Sequence, residues 1–226
     1  MNNYILSHQE VLFGKPEIVG FGDNLYYVEE ISRNVANGII LKNHYSKKFY
    51  NNSTIHLGIY MDGGLTGVLQ YGFALNPSSG TRIVKNTKND EYLELNRMWL
   101  DDKAPRNSES RAISCSIKYI RGKYKKIKWI QSFADERCGR FGVVYQASNF
   151  KYFGEHKAKF LELDGVYYHN ICATAKREKA GRAGIIVQNN MDRVKKHTFR
   201  QFRYIFFMKP KYMKNCLLSE LPYPKS

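Results

Sequence analysis

The stretch from residue 92 to residue 156 alternates strand-like and helix-like segments, and this order constrains the fold more than any other feature of the sequence. Its segments are, in order, a strand at 92–100, a loop at 101–107, a helix to about Ile120, a strand at 128–134, a short helix through 145–147 and a strand from Phe150 to Gly154. A helix that starts directly after a strand points unpaired backbone N–H groups beyond the edge of the sheet. The order therefore predicts an anion-binding helix terminus beside the ends of two strands.

The rest of the chain adds hairpins and helices, which predicts a mixed sheet. Strands at 53–61 and 67–76 flank Asp62-Gly63-Gly64, a strong hairpin signal. The other predicted elements are a short strand at 17–21, a helix over 29–43 with Ile31, Val35, Ile39 and Ile40 on its apolar face, a second hairpin around Asp164-Gly165, local helix in an exposed loop at 174–196 and an aromatic strand at 198–208. We therefore predict an α/β (α+β) protein with a mixed, mostly antiparallel sheet flanked by helices. It forms a single domain over residues 1–226, with a basic C-terminal part from about residue 174.

Positive charge is unevenly distributed along the chain. The 226 residues carry a net charge of +16, and residues 176–226 alone hold 13 Lys or Arg against 3 Asp or Glu. A second basic cluster without acids lies at 118–128. An excess of this size, interleaved with aromatic residues, is typical of proteins that bind nucleic acid, although a basic surface also favours solubility. We predict that four residues contact DNA phosphates: Lys195, Lys196, Arg200 and Arg203.

Several protein classes are excluded by what the sequence lacks. No run of about 18 apolar residues occurs, so no membrane span is expected, and residues 1–8 do not resemble a signal peptide. The four cysteines are widely spaced and form no CxxC pair, which argues against a zinc ribbon and favours free thiols in a reducing, cytoplasmic compartment. A metal is possible, since mixed N/O ligands could come from His44, His56, Glu94 and Asp135, but no spacing in the sequence supports a site and none is predicted.

The loop before the second long helix carries polar and charged residues at the predicted anion site. Asn107, Ser108 and Ser110 supply the helix N-terminus, while Arg106 and Arg111 supply positive charge beside it. These five residues could hold the phosphate or carboxylate of a group donor. The alternative is that they serve only to cap the helix, as such residues do in most proteins.

The strand at 128–134 brings a carboxylate and a hydroxyl close to the same edge. Asp135 lies at the strand end, where open sheets present ligands, and could act as a base or hold a reacting amine. It could also cap the turn that follows. Ser132 could hydrogen-bond a donor or a base, but residues 132 and 135 fall on opposite faces of a regular strand. Both reach one site only if the strand bends or ends between them.

The order of elements resembles the fold of the GNAT acyltransferases. In that fold, a helix after the fourth strand holds the pyrophosphate of acyl-coenzyme A at its N-terminus. The usual signature there is a glycine-containing loop, and the corresponding loop of this chain, residues 106–111, has no glycine. The resemblance implies that an acyl-CoA-like donor is possible, while the cofactor itself stays unidentified.

A more specific resemblance is to the phage Mom DNA-modification family, a divergent branch of the same fold. The motifs that carry it lie between about residues 40 and 156: Asn43-His44-Tyr45-Ser46, Asn51-Asn52-Ser53, His56-Leu57-Gly58, Leu95-Asn96-Arg97, residues 104–111, Ser132-Phe133-Ala134-Asp135 and residues 145–150. The resemblance implies an enzyme that converts adenine in double-stranded DNA to an N6-carbamoylmethyl form, which protects phage DNA from host restriction. A bacterial host cytoplasm is the expected location.

The same resemblance marks His44 and Tyr45 as a functional pair. The exocyclic amine of adenine is a weak nucleophile, so its modification needs a proton acceptor and a pocket for the extruded base. His44 could orient the base or accept a proton, and Tyr45 could stack on adenine or donate a hydrogen bond. Without the resemblance, His44 is better explained as a helix C-cap. The predicted catalytic residues are therefore Asp135, His44, Tyr45 and Ser132.

Two other functions are weighed against DNA modification. The first is an acetyl-CoA-dependent N-acyltransferase acting on a protein or small amine, which predicts tight coenzyme A binding at the Asn107 helix terminus. The second is a non-catalytic nucleic-acid-binding module on the same fold. It predicts salt-dependent binding that survives changes at Asp135 or His44 without any chemical change to the bound nucleic acid.

Overall fold

The computed structural model describes residues 26–139 and 141–225, and within those residues it contains eight strands and six α-helices. The strands are β1 Tyr26–Glu30, β2 Ser53–Met61, β3 Gly64–Gly72, β4 Tyr92–Leu100, β5 Trp129–Asp135, β6 Lys151–Leu163, β7 Val166–His169 and β8 Lys195–Phe207. The helices are α1 Arg33–Asn43, α2 Ser108–Lys123, α3 Val143–Ala147, α4 Ile171–Thr174, α5 Arg182–Gln188 and α6 Pro210–Met213. Short 3-10 helices lie at Pro77–Arg82, Glu136–Cys138 and Arg177–Lys179. The strand predicted at 17–21 lies outside the described residues.

The strands form one sheet in the order β1-β2-β3-β4-β5-β8-β6-β7. The pairs β1–β2, β2–β3, β3–β4 and β6–β7 are antiparallel, whereas β4 and β5 run parallel. The predicted mixed, mostly antiparallel sheet flanked by helices is therefore confirmed. A parallel pair needs a long crossover connection, and the segment between β4 and β5 supplies it with α2.

The chain divides into two compact units, and β5, β6 and β8 each contribute residues to both. The first unit comprises the described residues up to 132, with 143–153 and 204–223. It contains β1 to β4, α1, α2 and α3. The second unit comprises 133–142, 154–203 and the last residues from 224, and it contains the β6–β7 hairpin, α4 and α5. The single-domain organisation stays a prediction.

An aromatic pair lies at the centre of the first unit. The rings of Tyr92 and Trp129 stack with centroids 4.2 Å apart, at the first paired position of β4 and β5. Both side chains are almost fully buried, and each keeps its polar atom bonded: the Tyr92 hydroxyl donates to Pro77 O at 2.8 Å, and Trp129 Nε1 donates to Thr87 Oγ1 at 3.2 Å. Large aromatic side chains that also satisfy their polar atoms fix the register of neighbouring strands.

Two tight turns follow the sequence prediction closely. Asp62 and Gly63 join β2 to β3 with φ values of 50° and 82°, and Asp164 and Gly165 join β6 to β7 with φ values of 51° and 76°. Positive φ at both central residues defines the turn that matches strand twist, and Asp-Gly is a preferred sequence for it. The second predicted hairpin is thus confirmed. Because the first turn has only two residues, β3 begins at Gly64 and not at the predicted residue 67.

The first helix begins later than predicted. Residues 26–30 pair with β2 as a strand, so the predicted helical start at residue 29 is wrong. The helix begins after Ser32, whose side chain accepts a hydrogen bond from Val35 N at 3.3 Å. Its buried residues are Ala36 and Ile40, while the predicted core residue Val35 is 47% exposed. The strand pairing of residues 26–30, which no local pattern encodes, displaces the start of the helix.

We expect Gly72→Ala to destabilise the protein by about 1–3 kcal/mol, because a Cβ at this position would lie 2.6 Å from Ser53 Cα and would also meet Asn52 O. The measurement is the free energy of unfolding in urea. Gly38→Ala is the matched control: nothing lies within 4 Å of its Cβ, and alanine in a helix interior should add about 1 kcal/mol of stability. Equal unfolding curves for the two variants would contradict the predicted close approach.

Candidate active site

Strands β4 and β5 separate soon after they pair, and polar side chains gather where they part. The parallel ladder covers three positions and ends with Glu94 opposite Gln131. At this last position, Gln131 Nε2 donates to Glu94 Oε2 at 3.0 Å. Diverging strand ends are where open sheets present binding groups.

The polar contacts continue from this point to the start of β2. Asn96 Nδ2 lies 3.4 Å from Glu94 Oε1, and Ser53 Oγ donates to Asn96 Oδ1 at 3.0 Å. Gln131, Asn96 and Ser53 are all buried. We call Ser53, Glu94, Asn96 and Gln131 the polar chain. Burying so many polar groups is costly unless each is hydrogen-bonded, so a chain of this kind is typical of a functional site or of a region that specifies packing.

A β-bulge at Asn96 turns the next side chain toward the same loop. The β3–β4 register passes from Gln70–Arg97 to Tyr71–Leu95, which leaves Asn96 as the extra residue. Bulges change the direction of side chains and often lie beside active sites. Arg97 Nε donates to Lys48 O at 3.0 Å, and its guanidinium lies 5.5 Å from the centre of the Tyr50 ring.

His44 is buried and neutral. Its Nδ1 accepts the Ser46 backbone N–H at 3.1 Å and lies 2.8 Å from Ser46 Oγ. An Nδ1 that accepts from a backbone amide carries no proton, so in the neutral ring the proton is on Nε2. Burial, together with the positive charges of Arg97 and Lys47, lowers the pKa of His44 to about 4. At neutral pH the Nε2 of this ring is therefore a hydrogen-bond donor.

Tyr45 lies directly beside His44 but is open to solvent. The two rings are 4.3 Å apart, tilted by 33°, and Tyr45 is 59% exposed. An exposed ring supported by a buried one is suited to stacking with a planar ligand. The capping interpretation of His44 is also confirmed, since its backbone N–H donates to Ile40 O at the end of α1.

The N-terminus of α2 has a different structure from the predicted cap. Asn107 occupies the N-cap position with φ +70°, and its side chain makes no capping hydrogen bond. Ser108 is fully buried, and Ser110 Oγ donates back to Asn107 O at 3.0 Å. In the described part of the chain, the backbone amides of Glu109 and Ser110 make no backbone hydrogen bond, and Arg106 beside them is exposed. Two amides at a helix start and an exposed guanidinium fit an anionic group.

Ser132 does not join the polar chain. It is buried, and its hydroxyl is 3.4 Å from Leu95 O, so it satisfies a strand carbonyl. The adjacent Gln131 supplies the side chain that reaches Glu94 instead. Neighbouring residues of a strand face opposite sides, so only one of Gln131 and Ser132 can join the polar chain. Gln131 is not among the residues predicted from the sequence, because its place opposite Glu94 depends on the register of two strands that are distant in the chain.

In the second unit, the predicted catalytic carboxylate of Asp135 is held by one arginine. Arg137 N donates to Asp135 Oδ1 at 3.0 Å, and the Arg137 guanidinium donates to both carboxylate oxygens at 2.5–3.1 Å. That guanidinium lies over three aromatic rings, of which Phe160 is nearest at 4.2 Å. The capping interpretation of Asp135 is confirmed. The ion pair also fixes the direction of its carboxylate, and the catalytic role stays a prediction.

The four basic residues predicted to contact phosphates divide into two kinds. Lys195 and Lys196 are exposed at the start of β8. Arg200 bonds to Glu136, with Nε to Oε1 at 2.9 Å, and lies 3.5 Å from Glu155. Arg203 lies 5.2 Å from the centre of the Phe133 ring. The charge of Arg200 is thus compensated inside the protein, whereas the two lysines present theirs to solvent.

The basic cluster at 118–128 is partly neutralised in the same way. Three of its lysines form ion pairs with acids that are distant in sequence: Lys123 with Glu30, Lys126 with Asp90 and Lys128 with Glu91. In residues 26–139 and 141–225, no three His, Cys, Asp or Glu side chains lie close enough together to hold a metal ion. Over the same residues, no helix is both long and apolar enough to cross a membrane.

The fold and the site define an α/β protein with a buried polar chain where two parallel strands part, a neutral histidine donor and a helix terminus suited to an anion. The chain belongs to the Mom protein family, whose family model matches residues 25–225. A curated relative from Escherichia phage Mu, named methylcarbamoylase mom, is 50% identical over 224 residues, covering 98% of this chain and 92% of the relative.

The solved structures that the chain matches include acetyltransferases. An N-acetyltransferase from Staphylococcus aureus covers 81% of this chain and 99% of its own, with 12% identity and a TM-score of 0.46. An IAA acetyltransferase from Bacillus cereus covers 80% of this chain and 99% of its own, with 8% identity and a TM-score of 0.46.

We expect the low pKa of His44 to make the protein lose stability in mild acid. The pKa is 6.5 in an unfolded chain and about 4 here, so between these values the unfolded chain binds the proton first. As pH falls from 6.5 to 4, the unaltered protein should lose stability relative to His44→Gln, and above pH 7 the difference should be constant. The measurement is the free energy of unfolding of both proteins in urea across this pH range. A difference between them that does not change with pH would contradict a neutral His44.

Proposed function

We propose that this protein is a DNA-modifying transferase that converts adenine in double-stranded DNA to an N6-carbamoylmethyl-type base. The observation that carries the proposal is the 50% identity, over almost the whole chain, to a relative named as a methylcarbamoylase. The net charge of +16 supports a polyanionic substrate. Such a base change would protect phage DNA from host restriction, with the protein acting in the bacterial cytoplasm.

The reaction forms a bond between adenine N6 and the methylene carbon of the transferred group. N6 loses one proton, and the electrons of the bond that breaks stay with the leaving group of the donor. His44 supplies a hydrogen bond from Nε2 and does not act as the base, since its Nδ1 is already bonded to Ser46. Its role is to orient the base or polarise the donor, with the exposed ring of Tyr45 beside it for stacking.

Asp135 is the proposed acceptor of the N6 proton. Its carboxylate is pinned by Arg137, which fixes its direction and leaves further lone pairs on both oxygens. The hydroxyl of Ser132, which was also predicted to be catalytic, donates to the backbone carbonyl of Leu95. We therefore assign Ser132 no contact with the reacting atoms. We therefore propose that His44 is a hydrogen-bond donor, Tyr45 a stacking ring and Asp135 the base, while Ser132 has a structural role.

The anionic end of the donor is proposed to bind at the start of α2. The amides of Glu109 and Ser110 and the Arg106 guanidinium would hold a phosphate or carboxylate there, with Arg111 as a second positive charge. An acyl-CoA-like donor is compatible with this set. Asn107 takes the left-handed backbone conformation that a glycine would otherwise supply in such a loop.

We expect DNA from cells expressing the unaltered chain to contain a modified deoxyadenosine, measured by nucleoside mass spectrometry. His44→Ala and Asp135→Asn should each lower its amount by about 100-fold or more, because each removes a group that touches the reacting atoms. Asp164→Asn is the matched control. This carboxylate lies at an exposed hairpin tip, and its ion pair with Arg193 is on the surface, where such pairs contribute little. Unmodified adenine in every sample would refute the proposal.

Binding of double-stranded DNA should depend on Lys195 and Lys196. We expect the double change to Gln to reduce the slope of log affinity against log salt by about 2, because each lost phosphate contact lowers it by about 0.9. Changing Lys85 and Lys88, two exposed lysines before β4, to Gln is the control and should leave the slope within about half a unit. Fluorescence anisotropy at several salt concentrations measures the slope for each variant. Equal slopes for the two double variants would mean that DNA does not bind at Lys195 and Lys196.

A further inference from the structure

One buried atom of the polar chain has an unmet hydrogen-bonding capacity. A carboxylate can only accept hydrogen bonds, so the Gln131 group facing Glu94 at 3.0 Å must be its NH2. The other end of the side chain is then the carbonyl oxygen, Oε1. This oxygen is buried, and it has no hydrogen-bond partner in the described part of the chain. Such an acceptor is costly to leave unmet, which marks it as a place for a donor group from a ligand.

The neighbouring groups define what kind of ligand fits. Gln131 Oε1 and the Glu94 carboxylate are two acceptors on adjacent strands, at the last position of their ladder. Asn96 Nδ2 is a donor whose own contacts are long, at 3.4 Å to Glu94 Oε1 and 3.5 Å to Phe73 O. Two acceptors, and a donor that is held only by long contacts, complement a primary carboxamide, which has two N–H hydrogens and one carbonyl oxygen.

Size and charge further limit which ligand group fits beside the polar chain. Gln131 is 2% exposed and Asn96 is 7% exposed, so a group that reaches them must be small, which favours a small terminal group over a purine. A carboxylate would place its negative charge against Glu94 and against the carbonyl oxygen of Gln131, where it gains no hydrogen bond. A neutral amide of the same shape meets neither problem.

We propose that Gln131, with Glu94 and Asn96, binds the primary carboxamide of the group that is transferred and rejects the corresponding acid. This inference rests on the proposed function, because a carbamoylmethyl group ends in a carboxamide. It assigns selection between amide and acid to Gln131. The donor would accordingly be a molecule that already carries the amide before transfer.

The first test is made in cells, with Gln131→Met as the variant, since methionine keeps the side-chain length and removes the amide. We expect modified deoxyadenosine, per soluble protein, to fall by about tenfold or more. Gln70→Met is the matched control: Gln70 is also fully buried and also has an unpartnered Oε1, but its side chain bonds to Asn37 and His56 and not to the polar chain. A fall confined to Gln131→Met supports the proposal, and equal effects of the two changes would overturn it.

The second test uses purified protein and acetamide, the simplest neutral amide, with acetate as its acid counterpart. The side-chain NH2 resonances of Gln131, assigned by their loss in Gln131→Met, should shift with acetamide and stay in place with acetate. No shift with acetamide, or the same shift with acetate, would overturn the proposal and leave a buried water as the partner of Oε1. This test does not depend on DNA, so it separates failure of the carboxamide site from failure of the proposed function, which unmodified adenine with the unaltered chain would reveal.

Discussion

The short parallel ladder between β4 and β5 is the contact on which both the core and the site depend. At its first position, Tyr92 and Trp129 stack inside the core, and at its third, Gln131 donates to Glu94. Apolar packing therefore fixes the register in which the polar groups meet. A slip of one residue would turn Gln131 away from Glu94 and bring Ser132 into its place. The stacked aromatic pair and the polar pair are thus held in register by the same three-residue ladder.

The loop between α1 and β2, together with the first residue of β2, bonds to β4 at the bulge next to this ladder. Ser53 bonds to Asn96, and the Arg97 side chain bonds to Lys48 O. The charge of Arg97 in turn contributes to the low pKa of His44. A histidine in such surroundings stays neutral, and the Ser46 amide selects the ring nitrogen that carries the proton. A neutral ring with its proton on Nε2 favours a hydrogen-bonding role for His44, and its catalytic role stays a prediction.

Positive charge on this chain has two different physical uses. Some basic residues form ion pairs within the protein, as Arg200 does with Glu136 and Lys128 with Glu91. Arg137 is held by a carboxylate and by aromatic rings together, which fixes its position more firmly than either contact alone. Lysines such as Lys195 and Lys196 instead lie in solvent, where they add to the long-range field that attracts a polyanion. Counting charges along the sequence does not separate these uses.

The sequence by itself determined the elements that local chemistry controls. Strand β4 and the Asp164-Gly165 turn follow from alternation and from turn residues, and α2 begins at the predicted residue, because these patterns act over a few residues. It also determined the family, through motifs that need no coordinates. Only the tertiary structure decided that residues 26–30 pair as a strand, and that Gln131 rather than Ser132 meets Glu94. These outcomes depend on partners distant in the chain, whose approach is set by sheet register and burial and leaves no periodic signal in the sequence.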